Sequence, residues 1–348
     1  MRILLIGGTG LISSEVSRLA LAQGHEVTLV NRGKSLLPTA PGAHIIHADA
    51  TDPEALRSAL RGPRLRGERF DAVVQFIAFG PEQVLADLET FRRLADRYVL
   101  IATAAAYRKF DRLRPLTEDV PLENPYWEYA RKKIECEEAL RISSDIPWTI
   151  VRPAHTYGPS KIPGFTGVSR HPWTLVDRMR RGADIILPGD GTSLWTISHA
   201  RDVAAGILGV ARAPDAVGEA VHVTSSEALT WRAIHEAIGT AAGVPREALA
   251  EKFVCVPSDA LVAAAPSQAG SIYGDKMHPA VYDTSKLRRL VPGWEARTAF
   301  ADGVAEAVEY FEAHEQLRTI DADSNAMFDA LGKKYRWALR DTPDNVGA

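Results

Sequence analysis

Cysteine is scarce in this 348-residue chain, and long apolar runs are missing. Cys136 and Cys255 are the only two cysteines, and they form neither a CxxC motif nor a Cys/His spacing of the kind that binds zinc. His44 and His47, three apart in an apolar run, are expected to face opposite sides, so no metal site is predicted. No run reaches the apolar length of a membrane span and no charged leader precedes the first one, so we expect a soluble cytoplasmic protein.

The chain also lacks an excess of charge of either sign. Its 41 Lys and Arg residues nearly balance 44 Asp and Glu residues, which leaves a formal net charge of −3. This balance argues against a partner that is a nucleic acid or an anionic membrane, because both attract strongly basic proteins. With 46% hydrophobic residues and no internal repeat, the sequence is typical of a globular protein with one large or two modest domains.

A glycine cluster between two apolar segments stands near the start of the chain. Residues 3–6 form an apolar run too short for a helix, Gly7, Gly8 and Gly10 follow at once, and a helical pattern begins near Ser13. In a strand–turn–helix unit, glycines let the backbone approach a ligand, and the first N–H groups of the helix attract an anion. The stretch therefore predicts a dinucleotide site. Ser13 replaces the third glycine of a GxxGxxG pattern and predicts a slightly wider helix–strand crossing.

The first part of the chain alternates short apolar runs with helical patterns. The predicted strands cover residues 3–6, 26–30, 43–46, 72–76 and 98–102. Repeated strand–helix units predict an α/β fold, a Rossmann-type doubly wound parallel sheet with helices on both faces. We expect residues 1–152, together with later interleaved strands, to form the NAD(P)-binding domain. Residues 153–315 are expected to form mainly a smaller C-terminal substrate-binding lobe, and residues 316–348 a helical extension. Residues 261–279, rich in Ala, Gly, Ser and Pro, predict a loop or lid.

The end of the second predicted strand bears on the choice between NAD and NADP. Asn31 and Arg32 stand where NAD-binding proteins usually place an acidic residue for the ribose 2′-hydroxyl, whereas an arginine suits a 2′-phosphate. NADP(H) is therefore favoured over NAD(H); the alternative is that Arg32 stacks on adenine or faces solvent. Asp49 is expected to meet the adenine amino group, and Asp52 to cap the next helix.

Tyr129 and Lys133 form a YxxxK pattern that would place both side chains on one face of a helix. A nearby ammonium group favours the phenolate, so the tyrosine can exchange a proton closer to neutral pH. Thr103 follows the fifth predicted strand, at the sheet edge that also carries the glycine turn, where its hydroxyl could hydrogen-bond a substrate oxygen. These three residues are the predicted catalytic group, although a YxxxK spacing alone also arises by chance.

Several motifs in series resemble the extended short-chain dehydrogenase/reductases, that is, the NAD-dependent epimerase/dehydratase superfamily. They are Gly7 to Gly10, Thr103 four residues before Tyr107, Tyr129 with Lys133, and residues 151–159 and 197–204. The resemblance implies a Rossmann domain and a homodimer. It also implies that Thr103 and Tyr129 surround the reacting carbonyl or alcohol, and that Lys133 contacts both the nicotinamide ribose and the tyrosine.

The resemblance extends the site to further residues. The predicted cofactor-binding residues are Gly7, Gly8, Thr9, Gly10, Leu11, Ile12, Asn31, Arg32, Asp49, Ala50, Phe76, Ala78, Ala102, Lys133, Pro153 and His155. The predicted substrate-binding residues are Phe79, Ala104, Tyr129, His155 and Trp195.

Departures from the superfamily pattern narrow the reaction. Sugar 4,6-dehydratases follow the catalytic Ser/Thr with an Asp–Glu pair, whereas Thr103 is followed by Ala104 and Ala105, so dehydration is not expected. Nucleotide-sugar members carry an asparagine where this chain has His155, and a diphosphate-binding arginine where it has Trp195. His155 could bond a polar substrate or be a structural histidine, and Trp195 could form an apolar or sugar-stacking wall or be a core residue.

The second arginine expected to bind a diphosphate is also missing from residues 272–280. Arg178, Arg180 or Arg181 could substitute for it; the alternative is that these arginines form a solvated helix end and the substrate is not a nucleotide diphosphate sugar.

Together these features predict an NAD(P)-dependent oxidoreductase that moves hydride to or from a secondary alcohol or ketone of a sugar-like or other polar small molecule, in carbohydrate metabolism. An epimerase with tightly bound NAD, acting on a sugar or nucleotide sugar, would use the same residues. A third hypothesis comes from the resemblance to atypical members related to a chloroplast RNA-binding protein, in which the fold serves nucleic acid.

Overall fold

The computed structural model describes residues 1–34, 38–61, 69–109, 115–165 and 171–340. Its strands are β1 (Arg2–Ile6), β2 (Glu26–Asn31), β3 (His44–His47), β4 (Ala72–Gln75), β5 (Tyr98–Ile101), β6 (Trp148–Pro153), β7 (His155–Tyr157), β8 (Ile185–Pro188), β9 (Leu194–His199), β10 (Glu219–Val223), β11 (Ala228–Thr230) and β12 (Phe253–Val256). Its α-helices are α1 (Leu11–Ala22), α2 (Pro53–Leu60), α3 (Pro81–Phe91), α4 (Glu128–Ser143), α5 (Trp173–Arg180), α6 (Ala200–Arg212), α7 (Trp231–Ala241), α8 (Arg246–Ala250), α9 (Ser258–Ala264), α10 (Ala269–Ser271), α11 (Ser285–Leu290), α12 (Phe300–Ala313) and α13 (Ala322–Arg340).

The chain divides into two compact units. Unit 1 comprises Met1–Thr156, Ser198–Ser226 and Tyr282–Arg297. Unit 2 comprises Tyr157–Ile197, Glu227–Val281 and Thr298–Ala348. Two later segments of the chain therefore return to unit 1, and the C-terminal helix α13 belongs to unit 2; of the predicted extension, residues 341–348 lie outside the described part.

Unit 1 is built on a seven-stranded sheet in the order β10-β6-β5-β4-β1-β2-β3. Every neighbouring pair is parallel. Ile3 to Ile6 in β1 are all fully buried, as expected for a strand covered on both faces. The five predicted strands of the first part are confirmed, with ends shifted by one residue.

Apolar side chains cover both faces of this sheet. One core cluster joins the sheet to Val16 and Ala20 of α1 and to Val203 and Ile207 of α6. The other joins it to α2, α3 and α4, for example through Leu88. Helices therefore pack on both faces, and the predicted doubly wound Rossmann arrangement is confirmed.

Unit 2 contains a smaller parallel pair of strands, β8 with β12, and an antiparallel pairing of β9 with β11. The prediction of a loop over residues 261–279 is wrong, because this stretch contains the end of α9, all of α10 and a π-helical turn, Ile272–Lys276. Alanine favours helix, and Pro266 stands at the first position of a 3-10 turn, where proline is tolerated.

None of the helices in the described ranges combines the length and the apolar composition required to cross a bilayer.

Candidate active site

The glycine turn joins the end of β1 to the start of α1. Gly7 has φ +87°, and a Cβ atom on it would lie 2.6 Å from Ile77 Cγ2, so only glycine fits this position. A Cβ on Gly8 would lie 2.8 Å from Leu29 Cδ2. Around Gly10, by contrast, only Ser13 Oγ comes within 4 Å of a Cβ position among the described residues. The outer face of the turn is therefore open, as backbone approach to a dinucleotide requires.

Ser13 has a role that the sequence pattern did not predict. Its buried hydroxyl accepts the Gly10 N–H at 2.8 Å and donates to the Gly7 carbonyl oxygen at 2.8 Å. Helix α1 begins at Leu11, and its first i→i−4 bond runs from Ser14 N–H to the Gly10 carbonyl. The N–H groups of Leu11 and Ile12 thus precede the hydrogen-bond ladder, at the positive end of the helix dipole. Ser13 pins the turn in the shape that presents them.

The ends of β2 and β3 hold the residues predicted for the adenosine end of the cofactor. Asn31 ends β2 and is 8% exposed as a residue, and its Oδ1 accepts the Gly33 N–H at 2.8 Å. The Arg32 guanidinium lies 3.9 Å from Asp49 Oδ2, and both side chains are substantially exposed. Asp52 caps α2 as predicted, since its Oδ1 accepts the N–H groups of Glu54 and Ala55.

The remaining predicted cofactor residues follow neighbouring strands at the same sheet edge. Ala50 follows β3, Phe76 and Ala78 follow β4, Ala102 follows β5, and Pro153 ends β6. The carboxyl ends of parallel strands are where ligands bind in sheets of this kind. The structure therefore brings these residues to one edge of unit 1, together with the glycine turn.

Lys133 ties two of these strand ends together. Its Nζ donates to the carbonyl oxygens of Ala78 at 2.8 Å and Ile101 at 2.9 Å. Burial lowers the pKa of this lysine to about 8. The ammonium group also lies 4.9 Å from the centroid of the Phe79 ring, an arrangement in which the ring face attracts the cation.

Tyr129 is the second residue of α4, one helical turn before Lys133. Its ring packs between Trp127, with centroids 4.9 Å apart, and Phe79, with centroids 6.4 Å apart. Phe79 is half exposed and thus contacts both members of the predicted catalytic pair. The YxxxK spacing therefore places the two side chains in one cluster.

Thr103 lies two residues beyond the end of β5, whereas the sequence predicts a strand that runs to residue 102, directly before it. Strand β5 stops at Ile101, and Thr103 caps a short 3-10 helix, Ala104–Ala106, by accepting the Ala105 N–H at 3.1 Å. A threonine hydroxyl commonly bonds a backbone N–H two residues ahead, which competes with continued strand. Its own proton has no acceptor among the described residues.

Asn124 connects this 3-10 helix to the start of α4. Its Nδ2 donates to the Ala105 carbonyl at 2.8 Å, and its Oδ1 accepts the Trp127 N–H at 3.0 Å. The segments that carry Thr103 and Tyr129 are thereby joined by one buried amide.

A buried polar network behind the site was missed by the sequence analysis. Arg152 of β6 makes a two-pronged bond to Glu137 of α4, with Nε–Oε1 2.8 Å and Nη2–Oε2 2.5 Å. Its Nη1 also donates to the Tyr107 hydroxyl at 2.6 Å, and that oxygen lies 2.6 Å from His222 Nε2. His222 Nδ1 lies 3.1 Å from the Asp283 carbonyl oxygen.

The network has one consistent proton arrangement. Burial lowers the pKa of His222 to about 4, so its ring is neutral at pH 7. Nδ1–H then donates to Asp283, and Nε2 accepts from the Tyr107 hydroxyl. Burial raises the pKa of Tyr107, which keeps that proton in place. The network fixes α4 against β6. The only local signals for it in the sequence are that Tyr107 lies four residues after Thr103 and that Glu137 lies four residues after Lys133.

Two predicted residues lie close in sequence to points at which the chain passes from one unit to the other. His155, in unit 1, begins β7 and is half-buried. Trp195, in unit 2, is 2% exposed, donates from Nε1 to the His278 carbonyl at 3.0 Å and packs 5.0 Å from Trp231. Within unit 2 it is a core residue, and its contact with a substrate stays a prediction.

The arginine cluster at the end of α5 contains one fully buried member, Arg178, beside two that are partly exposed, Arg180 and Arg181. Arg178 is 1% exposed; it donates to the Asp184 carbonyl, to Asn325 Oδ1 at 2.9 Å and to Asp329 Oδ1 at 2.7 Å. Arg180 and Arg181 also bond acidic partners. The Arg181 partner, Asp177, lies in α5 itself. Because the Arg178 guanidinium is buried and joins α5 to α13, the expectation of a solvated side chain is wrong for Arg178.

No group of three or more His, Cys, Asp and Glu side chains close enough to share a metal ion occurs in the part of the chain that the structure describes.

Comparison with known proteins places this geometry among related sequences and structures. A chloroplast stem-loop binding protein of Arabidopsis thaliana is 29% identical over 70% of this chain and 64% of its own length. The 2′-dehydrokanamycin reductase of Streptomyces kanamyceticus is 25% identical over 85% of this chain and 81% of its own. The crystal structure of UDP-glucose 4-epimerase from Thermotoga maritima, with UDP-glucose, superposes with a TM-score of 0.70 over 90% of this chain and 99% of that one, at 20% identity.

The family model of NAD dependent epimerases and dehydratases matches residues 3–224, from β1 to the residue after β10. That span contains the glycine turn, the Tyr129 and Lys133 pair and the Thr103 cap. Members of this family bind NAD(P), and the match covers well over half of the chain. The chain therefore belongs to the NAD dependent epimerase/dehydratase family.

Proposed function

We propose that this protein is an NADP(H)-dependent oxidoreductase that transfers hydride between the nicotinamide and a secondary alcohol or ketone of a sugar-like polar small molecule. The observation that carries the proposal is the cluster of Tyr129, Lys133 and Phe79 at the strand ends beside the glycine turn. A reductase among the relatives supports the reaction class. The reaction is proposed to take place in the cytoplasm, in a homodimer, with a small molecule as the only partner in the site.

The site fits a nicotinamide dinucleotide. Among the described residues only Ser13 Oγ approaches a Cβ position on Gly10, and Leu11 and Ile12 offer N–H groups at the start of a twelve-residue helix, which suits a pyrophosphate. Lys133 and the residues that follow β4 and β5 would hold the nicotinamide half. When bound, the cofactor supplies or accepts the hydride.

The side chains of the protein have two tasks in the reaction: to exchange a proton with the substrate oxygen and to hold that oxygen in place. Tyr129 exchanges the proton with the substrate oxygen, and the Lys133 ammonium favours the phenolate by its charge. Thr103 donates its hydroxyl proton to the same oxygen. Ala104 and Ala105 have no group that could move a proton for loss of water, which favours simple hydride transfer over dehydration.

Arg32 is the basis of the NADP preference. Its side chain is 63% exposed just after β2, and no carboxylate occupies the position of Asn31. A 2′-phosphate there gains a charge-assisted hydrogen bond, whereas a 2′-hydroxyl does not.

The first test is to identify the nucleotide that the purified protein binds and then to follow NADPH consumption with a panel of sugar-like ketones. NADPH that exchanges freely and is consumed supports the proposal. Stoichiometric, tightly held NAD with interconversion of a sugar would support the epimerase instead. Salt-sensitive RNA retention without any nucleotide would support the RNA-binding hypothesis and contradict the proposal.

The second test replaces Tyr129 by phenylalanine, with Tyr126→Phe as the matched control because Tyr126 is an exposed tyrosine just before the same helix. Tyr129→Phe is expected to lose roughly 10²- to 10⁴-fold in turnover with NADPH binding unchanged. The control is expected to keep both. Equal turnover in the two variants would refute the assignment.

A further inference from the structure

Three aromatic rings lie side by side in unit 1. The ring of Tyr129 neighbours that of Phe79, with centroids 6.4 Å apart, and that of Trp127, with centroids 4.9 Å apart. Both distances fall in the range of about 4.5–7 Å in which aromatic side chains attract one another. The proposed proton exchange uses the Tyr129 hydroxyl but neither of the flanking rings. Phe79 and Trp127 are therefore available for a different contact beside the reacting group.

Phe79 has a protein side and an open side. The residue is 50% exposed, yet its ring lies 4.9 Å from the ammonium group of Lys133, which is 2% exposed. Because Lys133 is buried, the part of the ring that meets the ammonium faces the protein, and the rest is open to a ligand. The backbone is held in place by the Gln83 side chain, whose Oε1 accepts the Phe79 N–H at 3.3 Å.

Trp127 is fixed through its backbone at the start of α4. It is the N-cap residue of this helix, and its N–H donates to Oδ1 of the buried Asn124 at 3.0 Å. The residue is half-buried, and its indole N–H forms no hydrogen bond within the described ranges. A ring that is already held in place loses little conformational freedom when a ligand stacks on it, which favours binding.

The segment joined to Trp127 through Asn124 is apolar. Asn124 Nδ2 donates to the Ala105 carbonyl, and the side chains of Ala104–Ala106 offer neither hydrogen-bond donors nor acceptors. A site for an open-chain polyol needs a donor or acceptor for each hydroxyl group, because the hydroxyl groups lose their bonds to water on binding. Aromatic walls with few polar groups instead suit the flat face of a ring.

We propose that Phe79 and Trp127 form a stacking subsite for a six-membered ring of the substrate, so that the reacting carbon lies in that ring or next to it. The inference rests on the proposed hydride transfer at Tyr129 and narrows the substrate class to cyclic molecules. An aromatic ring stacks through its π face, and a saturated ring such as a pyranose through its C–H groups. An open chain presents no such flat face.

The experiment measures the binding of three eight-carbon methyl ketones to the full chain by saturation-transfer NMR. Acetophenone carries a phenyl ring, 1-cyclohexylethanone a saturated ring and 2-octanone an open chain. The nucleotide that the protein binds is present in its oxidised form, so that no ketone is reduced. The better of the two cyclic ketones is expected to bind about tenfold more tightly than 2-octanone. Which of the two binds better distinguishes an aromatic from a saturated ring as the natural ligand.

Substitutions of the two flanking rings test the subsite directly. Trp127→Leu keeps an apolar side chain without a flat ring, so it should weaken the better cyclic ketone about tenfold and 2-octanone less than about twofold. Trp127→Phe loses only the indole N–H and should stay within about threefold of the wild type. Phe79→Leu is an independent variant with the same expected selectivity. The matched control is Trp148→Leu, which makes the same change at the first residue of β6, at the opposite edge of the sheet, and should alter no affinity. Thermal unfolding verifies that each variant is folded.

Several outcomes overturn the inference. One is that the wild type binds the three ketones equally or binds none of them. Another is that Trp127→Phe weakens binding as much as Trp127→Leu, because the N–H group rather than the ring would then hold the ligand. Lost nucleotide affinity with unchanged ketone affinity in Trp127→Leu also overturns it, since the ring would then contact the nicotinamide. Binding requires no hydride transfer, so a failed subsite leaves the Tyr129→Phe test unaffected. A failed Tyr129→Phe test with intact ring selectivity refutes the proposed reaction alone.

Discussion

Replacing Lys133 by methionine is expected to abolish hydride transfer and to make the unliganded protein more stable at neutral pH. The lysine is 2% exposed, and its hydrogen-bond partners are the uncharged carbonyl oxygens of Ala78 and Ile101. Burial lowers its pKa from 10.5 to about 8. Methionine fills a similar volume without a charge, so the cost of holding an ammonium group in this position disappears.

The magnitude follows from the shift in the pKa of Lys133. A difference of about 2.5 units between unfolded and folded chain corresponds to about 3 kcal/mol at pH 7, where both states hold the proton. As the pH rises through 8, the folded protein releases its proton before the unfolded chain does, so wild-type stability increases and recovers about 2 kcal/mol by pH 9.5. Two lost hydrogen bonds cost the variant about 2 kcal/mol at either pH. The variant should therefore be about 1 kcal/mol more stable at pH 7 and about 1 kcal/mol less stable at pH 9.5.

Urea unfolding of the cofactor-free protein at the two pH values measures this crossing. Lys132→Met is the matched control, because Lys132 is its exposed neighbour and pairs with Glu128 at 3.1 Å on the surface. The control should track the wild type at both pH values. If the difference in unfolding free energy between Lys133→Met and the wild type does not change with pH, the buried ammonium group does not destabilise the fold through its lost hydration, and the argument is refuted.

Three further substitutions test other parts of unit 1. Burial raises the pKa of Asp87 to about 6, so the folded state holds this proton more tightly than the unfolded chain does. The stability of the wild type therefore falls as the pH rises from about 4 to 6. In urea titrations, Asp87→Asn should be up to about 3 kcal/mol more stable than the wild type above pH 7 and equally stable near pH 3.5. Glu137→Gln leaves the buried Arg152 guanidinium without its carboxylate and should lower the unfolding free energy by about 3–5 kcal/mol in the same assay. Glu138→Gln should leave the unfolding free energy unchanged, because Glu138 is exposed. Ser13→Ala leaves the Gly10 N–H without its acceptor, whereas the Gly7 carbonyl oxygen still accepts the Thr9 N–H. The variant should lose about 1–3 kcal/mol of unfolding free energy and bind NADPH more weakly in a titration; unchanged binding would contradict the role of the hydroxyl.

The sequence was sufficient for the parallel sheet because its strands are buried on both faces and read as short apolar runs between turn residues. Composition alone is not sufficient for residues 261–279, because Gly, Ser and Pro are typical of loops, while the alanines among them, together with packing, form helix. Helix propensity and turn propensity compete there, and composition alone does not decide between them.

Local spacing was also sufficient to select the Tyr129 and Lys133 pair, since both lie on one turn of one helix. It could not find the bonds of Arg152, because Tyr107, Glu137 and His222 come from distant segments that meet only after the sheet has formed. Ser13 shows a third case: its position was recognised, but its hydrogen bonds depend on the fold of the turn around it.

The way in which the chain passes between the units has a consequence for its synthesis on the ribosome. Unit 1 needs Tyr282–Arg297, and unit 2 needs α13, so neither is complete until most of the chain has emerged. The apolar faces of the early strands therefore stay exposed until α6, β10 and α11, which pack against them, have been synthesised. Nascent chains in that state are prone to aggregate, so yield in a cell should depend on translation speed and on chaperones that shield apolar surface, more than on the stability of the finished fold.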